Sequence, residues 1–504
     1  MRTKLFLLLL LAICIFPNLL FSQFTQQGLK LVGTGGVGGS NQGSSVAISS
    51  DGNTAIWGGV YDSSGTGAAW VFTRSGGVWT QQGPKLVGSG SVGSPVYQGK
   101  SVAISSDGNT AVVGGYGDNG YTGAVWVFIR SGGVWAQQGT KLVGTDAVGN
   151  SRLGFSVALS SDGNTIIVGG DGDNGFVGAI WIFTRSGGVW TQQGTKHVGT
   201  GASGASHQGW SVAVSPDGNT ALTGGPFDNS SAGAIWIFTR SGGVWTQQGA
   251  KLIGTGAAGD AGQGSSVAIS SEGTCIEGGI YDNLYAGAIW VFTRSGSVWT
   301  QQGTKLVGTG ASGNAEQGGS VAISSNGNTA IEGGITDLNT IGAVWAFTRS
   351  SGVWTQVGSK LVGTGAIGTA EQGNSVAISL NGGTFIEGGV SDHNNTGAVW
   401  IFVNPSIGIT TISTEIPKDY SLSQNYPNPF NPSTNIRYDL PKNGFVKLVV
   451  FDELGREIET LVNEKQTAGT YEATMNASQY PSGVYFYKLT TDNFTETKKM
   501  LMIK

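Results

Sequence analysis

The stretch G-S-S-V-A-I-S-S-D-G-N-T-A-I-W-G-G (Gly43–Gly59) comes round again as G-K-S-V-A-I-S-S-D-G-N-T-A-V-V-G-G (Gly99–Gly115). Five further copies follow. Their anchor valines are Val46, Val102, Val157, Val212, Val267, Val321 and Val376, spaced by 56, 55, 55, 55, 54 and 55 residues. A period this regular marks one supersecondary unit stacked on copies of itself. Within the quoted stretch, S-V-A-I-S and T-A-I-W-G-G read as two strands. The Asp-Gly or Asn-Gly pair between them suits a tight hairpin turn. The fifth copy has Glu272-Gly273 there and is one residue shorter, which accounts for the spacing of 54.

Working outward, each copy continues with G-A-x-W-x-F-T-R and then V-W-T-Q-Q-G-x-K-L-V-G. These are a third and a fourth strand, joined by a Ser-Gly turn. Thirteen of the 15 tryptophans fall at the two fixed positions these strands provide. Regular tryptophans argue for a packed β core despite 87 glycines. The seventh copy stops at Trp400-Ile401-Phe402 without its fourth strand. Phe24–Gly33 (F-T-Q-Q-G-L-K-L-V-G) is a fourth strand with no unit before it. The expected fold is therefore all-β: a seven-bladed β-propeller of four-stranded blades over residues 23–403. The N-terminal strand closes the last blade, which removes open sheet edges.

The run G-x-S-V-A-[IV]-S-x-D-G-N-T-A, then G-G-x-x-D, then G-A-V-W-V-F-T-R-S-G-G-V-W-T-Q-Q-G resembles the FG-GAP repeats of integrin-like propellers over about residues 24–403. The resemblance implies a fold more than an activity. Many FG-GAP blades carry a D-x-D-x-D-G calcium loop, and the nearest piece here is Asp171-Gly172-Asp173-Asn174-Gly175, in one copy. No metal ligands or other cofactor are assigned, and calcium is the one ion to look for.

Residues 1–22 read as a signal peptide: Arg2 and Lys4 precede an apolar run, Leu5–Phe16, that is short for a membrane span. No later segment is expected to cross a membrane. Beyond the repeats, residues 404–419 read as a linker. Residues 420–504 hold 18 charged residues, nine of each sign, and their apolar runs suggest a small Ig-like β-sandwich. The motifs Y-P-N-P-F-N-P-S-T (Tyr426–Thr434), G-V-Y-F-Y-K-L (Gly483–Leu489) and K-K-M-L-M-I-K (Lys498–Lys504) resemble those of the type A C-terminal sorting domain of type IX secretion cargo. That resemblance implies the secretion machinery as a partner through residues 420–504. It also implies an extracellular or outer-surface destination.

A net charge of −4 gives no basic field for nucleic acid. His197, His207 and His393 share neither a repeat position nor metal-ligand spacing. No nucleophile triad, phosphate loop or C-x-x-C is present. Cys275 takes a strand position held elsewhere by alanine and reads as a small buried residue.

Antiparallel order puts the one-to-two and three-to-four turns on one rim. The two-to-three and four-to-one loops lie on the other. The first pair scarcely changes among copies; the second varies, and binding is expected there. The recurring G-G-x-x-D aspartates (Asp62, Asp118, Asp173, Asp228, Asp282, Asp337, Asp392) read as turn-holding residues. The residue before strand one should ring the channel mouth: Ser44, Lys100, Phe155, Trp210, Ser265, Gly319, Asn374. Lys100, Phe155, Trp210 and Asn374 are the candidate ligand-binding residues. The residue before each G-G doublet becomes glutamate in the last three copies. Glu277, Glu332 and Glu387 thus form a candidate acidic cluster.

The expected function is a secreted, non-catalytic binding or adhesion propeller for a glycan or a surface protein. The alternatives are a polysaccharide lyase or hydrolase using those glutamates, and a purely structural surface protein.

Overall fold

A computed structural model describes residues 24–503 apart from 76, 405–407, 414–415, 432 and 478–479. The segment read as a signal peptide lies outside the described residues. Residues 25–403 form seven four-stranded antiparallel sheets. In the first, Gln42–Ile48, Thr54–Gly59, Ala68–Ser75 and Val78–Gln81 pair in sequence order. The seventh takes Gln372–Ile378, Thr384–Gly389 and Ala398–Val403 from the end of the repeats, and Thr25–Gln26 from the start.

That seam repeats the main contacts of the other units on a shorter strand. Thr25 opposes Val403 and Gln26 opposes Phe402. Leu31 bridges Val399 as Leu86 bridges Ala69. Thr364 donates its N–H to the Gln26 carboxamide oxygen as Thr34 does to Gln81. Phe24 is buried edge-on against Phe385, with ring centres 4.9 Å apart.

Seven apolar cores lie between successive sheets, and the last returns to the first. Val46, Ala55, Trp57 and Trp70 of the first sheet pack with Ile386, Val399 and Ile401 of the seventh. The G-G doublets make this approach feasible. A Cβ on Gly58 would sit 1.8 Å from the carbonyl oxygen of Gly99 in the next unit. The strand-three tryptophans are fully buried. Each lies against the glycine of a K-L-V-G segment, so that a Cβ on Gly33 would meet the Trp70 indole at 2.1 Å. Trp70 donates its N–H to the Thr34 carbonyl at 2.8 Å, Trp126 to Ser89, and Trp236 to Thr200. The connector between units is thus stitched to the tryptophan of the unit it enters. Cys275 is buried in the fifth sheet with its thiol pushed up by burial.

The C-terminal module consists of two four-stranded sheets. They share one core, including Ile436, Tyr438, Leu448, Val450, Tyr487 and Leu489. The segment read as a linker contributes a strand to one of these sheets. Gly408–Ser413 pairs with Gly469–Asn476, from Gly408 opposite Thr474 to Ser413 opposite Thr470. The module therefore starts before Tyr420, because the β-branched run Ile409-Thr410-Thr411-Ile412 favours an extended strand.

Candidate functional site: an aromatic and cationic arc on the variable rim

On the invariant rim each arginine ties its own unit to the one before. The Arg130 guanidinium donates to Asn109 of its own hairpin turn, and to Thr54 and Gln82 of the preceding unit. It also lies over Trp135, which donates to the same Gln82 oxygen. Sequence constancy on this rim is therefore a packing requirement.

The opposite rim has its own framework. Each G-G-x-x-D aspartate accepts a backbone N–H from the four-to-one loop and an ammonium from the K-L-V-G lysine. Val92 and Lys141 serve Asp118; Val148 and Lys196 serve Asp173. At the seam Lys30 reaches Asp392, so the N-terminal segment supplies the ion pair as well as the strand. The turn-holding reading of these aspartates agrees with that geometry. The lysines were missed, although a constant separation of 23 residues in the other six copies was there to be read.

On this framework stands a continuous group of side chains from the first four units. Lys100 Nζ lies 4.6 Å from the centre of the Phe155 ring, and Phe155 lies 5.0 Å from Trp210. Three of the four candidate binding residues are therefore in contact. Asn374 is elsewhere: its amide donates to the Ser44 carbonyl at 3.2 Å across the seam.

The group extends beyond the sequence reading. Tyr116 packs against Phe155 at 5.6 Å and stacks on Tyr97 at 4.9 Å, and Tyr97 meets Tyr61. On the far side Trp210 meets Phe227, and His207 lies between Phe227 and Phe176. Arg152 sits over both Tyr116 and Phe155, at 5.2 and 4.8 Å.

Tyr97, Arg152 and His207 occupy one repeat position, three residues before Lys100, Phe155 and Trp210. The others there are Asn41, Gly262, Glu316 and Glu371. All seven have positive φ, between 53° and 63°. This left-handed conformation suits glycine, which only the fifth copy uses. Bulky side chains are held there at a backbone cost, a pattern typical of functional sites.

Asp171, fully buried, anchors the middle of the group. One of its oxygens takes the Arg152 guanidinium at 2.9 Å and His207 Nδ1 at 3.2 Å. The other has no hydrogen-bond partner among the described residues. Lys100 forms no ion pair among the described residues. Burial lowers its pKa most; the Asp171 charge opposes this and Arg152 adds to it. Tyr116 is pushed up to about 12, mainly by burial and then by Tyr97. Across the mouth the sign reverses: burial, and then Glu371, raise the carboxyl of Glu316.

The same residues bear on calcium. In the Asp171–Gly175 loop, Asp171 is engaged by Arg152 and His207, and Asp173 by Lys196. Cations already neutralise the carboxylates, so this loop does not fit a calcium ion.

Glu277, Glu332 and Glu387 lie apart from the arc. Each is wholly buried in the middle of its own sheet, opposite Trp290, Trp345 and Trp400. None of their oxygens has a well-formed hydrogen bond. Burial raises each carboxyl well above its ordinary range, and glycine N–H groups nearby offset it weakly. Among the described residues no group of three or more His, Cys, Asp or Glu is placed to hold a metal ion.

The ring of sheets with one variable rim and a trailing sandwich defines an all-β repeat protein. Its destination is given by the tail: residues 424–504 match the family of secretion system C-terminal sorting domains. The chain is thus type IX secretion cargo, exported to the cell surface or beyond. Among the described residues no helix is long and apolar enough to cross a membrane. No curated protein sequence matches the chain. Solved structures similar to it include Kuenenia stuttgartiensis hydrazine synthase, at 12% identity and TM-score 0.45, over 73% of this chain and 96% of that one. Another is PorZ, a surface component of the type IX secretion system of Porphyromonas gingivalis. It is 13% identical with TM-score 0.42, over 92% of this chain and 60% of that one.

In the tail the three motifs meet. Tyr487 of G-V-Y-F-Y-K-L donates to the Ser423 carbonyl and accepts the Asn425 N–H. Phe430 of Y-P-N-P-F is buried, and its backbone bonds Leu501 and Ile503 of the terminal motif.

Proposed function

We propose that the chain is a seven-bladed, FG-GAP-type, integrin-like propeller joined to an Ig-like sorting domain. In this reading the propeller serves outside the cell as a non-catalytic binding or adhesion module. Its ligand, a glycan or a surface protein, is met by the variable rim. The observation that carries this reading is the arc from Tyr61 to Phe227. It joins aromatic faces and two cations across four units, at positions where a purely structural repeat would keep one residue type. Aromatic residues on scaffold loops with a few convergent polar groups are the usual make-up of a recognition surface.

The lyase or hydrolase reading gains no support from Glu277, Glu332 and Glu387, because a general acid or base must reach substrate. Screening the mature chain against glycans and surface extracts tests the proposal. Saturable binding without product release, lost in Trp210→Ala, is the expected result. Product release from a polysaccharide by the intact chain would replace it with the enzyme reading.

A further inference from the structure

We propose that the arc takes a uronic acid residue of an extended acidic polysaccharide, an inference that rests on the binding reading above. Three features of the arc converge on that chemistry.

The first is an uncommitted cation. Every K-L-V-G lysine is paired with an aspartate, as Lys141 is with Asp118 and Lys196 with Asp173. Lys100 is not; its ammonium rests on the Phe155 ring. A half-buried ammonium without a carboxylate is costly to keep unless a ligand supplies the anion.

The second is a pre-set guanidinium. Asp171 holds Arg152, and the ring faces of Tyr116 and Phe155 lie beside it. Arg152 and Lys100 thus lie 4.8 and 4.6 Å from the centre of the same Phe155 ring. A carboxylate that reaches both, beside that ring, would meet two cations, one of which keeps its orientation through a buried anchor.

The third is the open aromatic surface on either side. Tyr61 is 51% exposed, Tyr121 39% and Phe176 44%, so these rings offer free faces and, for the tyrosines, hydroxyls. A pyranose ring has an apolar C–H face and a hydroxyl edge, and both are satisfied by such rings. The rings belong to successive units, which suits a chain of sugars better than a single one. Among the described residues the rim is made of loops rather than a free strand edge, so a peptide has no sheet to extend.

The charge of the mouth is polarised in keeping with this assignment. Lys100 and Arg152 stand on the side of units two and three, and Glu316 and Glu371 on the side of units six and seven. An acidic chain is drawn to the first side and repelled from the second.

The test uses the mature full-length chain in affinity electrophoresis and titration calorimetry. The probes are polygalacturonate, alginate, hyaluronate, fully methyl-esterified polygalacturonate, dextran sulfate, and a peptide with a free C-terminus. At least one uronate polymer is expected to bind, and esterification is expected to weaken polygalacturonate, if that is the polymer bound, by about tenfold or more. Lys100→Met keeps the apolar stem and removes the charge. It should weaken the uronate polymer by about tenfold, close to 1.4 kcal/mol, and abolish the preference for acid over ester. Circular dichroism melts of the variant confirm that it folds.

Failure to bind any of the three uronate polymers overturns the assignment. So does equal binding of acid and ester, or dextran sulfate matching the uronates. The binding reading is scored separately. If the ester or the peptide binds and Trp210→Ala removes it, the rim is a binding site for another ligand class. If no probe binds and Trp210→Ala also leaves retention on cell-surface extracts unchanged, both readings fall together.

Discussion

The two rims of the ring are built from the same strands yet obey different rules. On the invariant rim, Arg130 reaches Thr54 and Gln82 of the unit before it, and Arg185 and Arg349 repeat the reach. Changing one residue there disturbs two units. On the variable rim the backbone is equally regular, with one left-handed position in the loop before strand one in all seven copies. The side chain at that residue is free to change because the Asp–Lys pair and the loop hydrogen bonds already hold the loop. Constancy therefore reports what adjacent units need from each other. Variation over a constant backbone reports what the outside needs.

The comparison breaks most severely at the seam. Removing residues 24–33 deletes Phe24, the Thr25–Gln26 strand and Lys30 together, leaving Asp392 buried and the seventh sheet with an open edge. The expected outcome is loss of cooperative unfolding of the ring, read by calorimetry, with aggregation of what remains. A truncated chain that melts like the intact one would show that the seam is dispensable.

The next effect sets one tryptophan against another. Trp236 is fully buried and donates to Thr200, whereas Trp210 is half-buried in the arc. Trp236→Ala should cost about 3–5 kcal/mol in urea unfolding, by loss of burial and the cavity left behind. Trp210→Ala should cost about 1 kcal/mol or less. Similar costs would erase the distinction between framework and site.

A third comparison uses pH. Glu332 has its carboxyl raised in the folded protein, so it binds a proton there that the unfolded chain gives up at its ordinary value. That linkage contributes stability which is fully present below the unfolded pKa, near 4.5. It is lost as pH rises toward and through the folded value. Glu332→Gln keeps the shape without the charge. Its melting temperature should gain on the wild type as pH is raised above the ordinary carboxyl value, in a series of thermal scans. A constant difference would mean that the carboxyl is not buried as described.

Much of this organisation was legible in the sequence. The strand pattern, the two rims and the seam follow from a spacing repeated seven times. So did the approach of Lys100, Phe155 and Trp210, because three neighbouring units must bring the same position together. Asn374 does not join them for a physical reason: a short amide beside the seam donates to the Gly43 and Ser44 carbonyls of the neighbouring unit. Tyr97, Arg152 and His207 were not legible, since left-handed backbone is signalled by glycine and only Gly262 supplies it. The strand at Gly408–Ser413 was hidden by the prolines around it, although its β-branched residues pointed to it.

The smallest expected effect lies where the framework itself departs from its repeat. His197 replaces the leucine of K-L-V-G, bridges Ile180 and packs 5.5 Å from Phe238. Its Nε2 is buried without a partner, and burial lowers its pKa below 6.5, with Asp146 opposing. A histidine lowered on folding gives stability that is whole above its unfolded value and is lost as pH falls through the folded one. His197→Leu restores the residue used by the other copies. It should therefore match or slightly exceed the wild type at pH 8, with the advantage widening below pH 6.5. Binding at the arc should be untouched, because His197 faces a framework core and His207, ten residues on, faces the rim. A change in polysaccharide binding in this variant would show that framework and arc are coupled through the connector between them, and the division drawn between the two rims would then need a shared element.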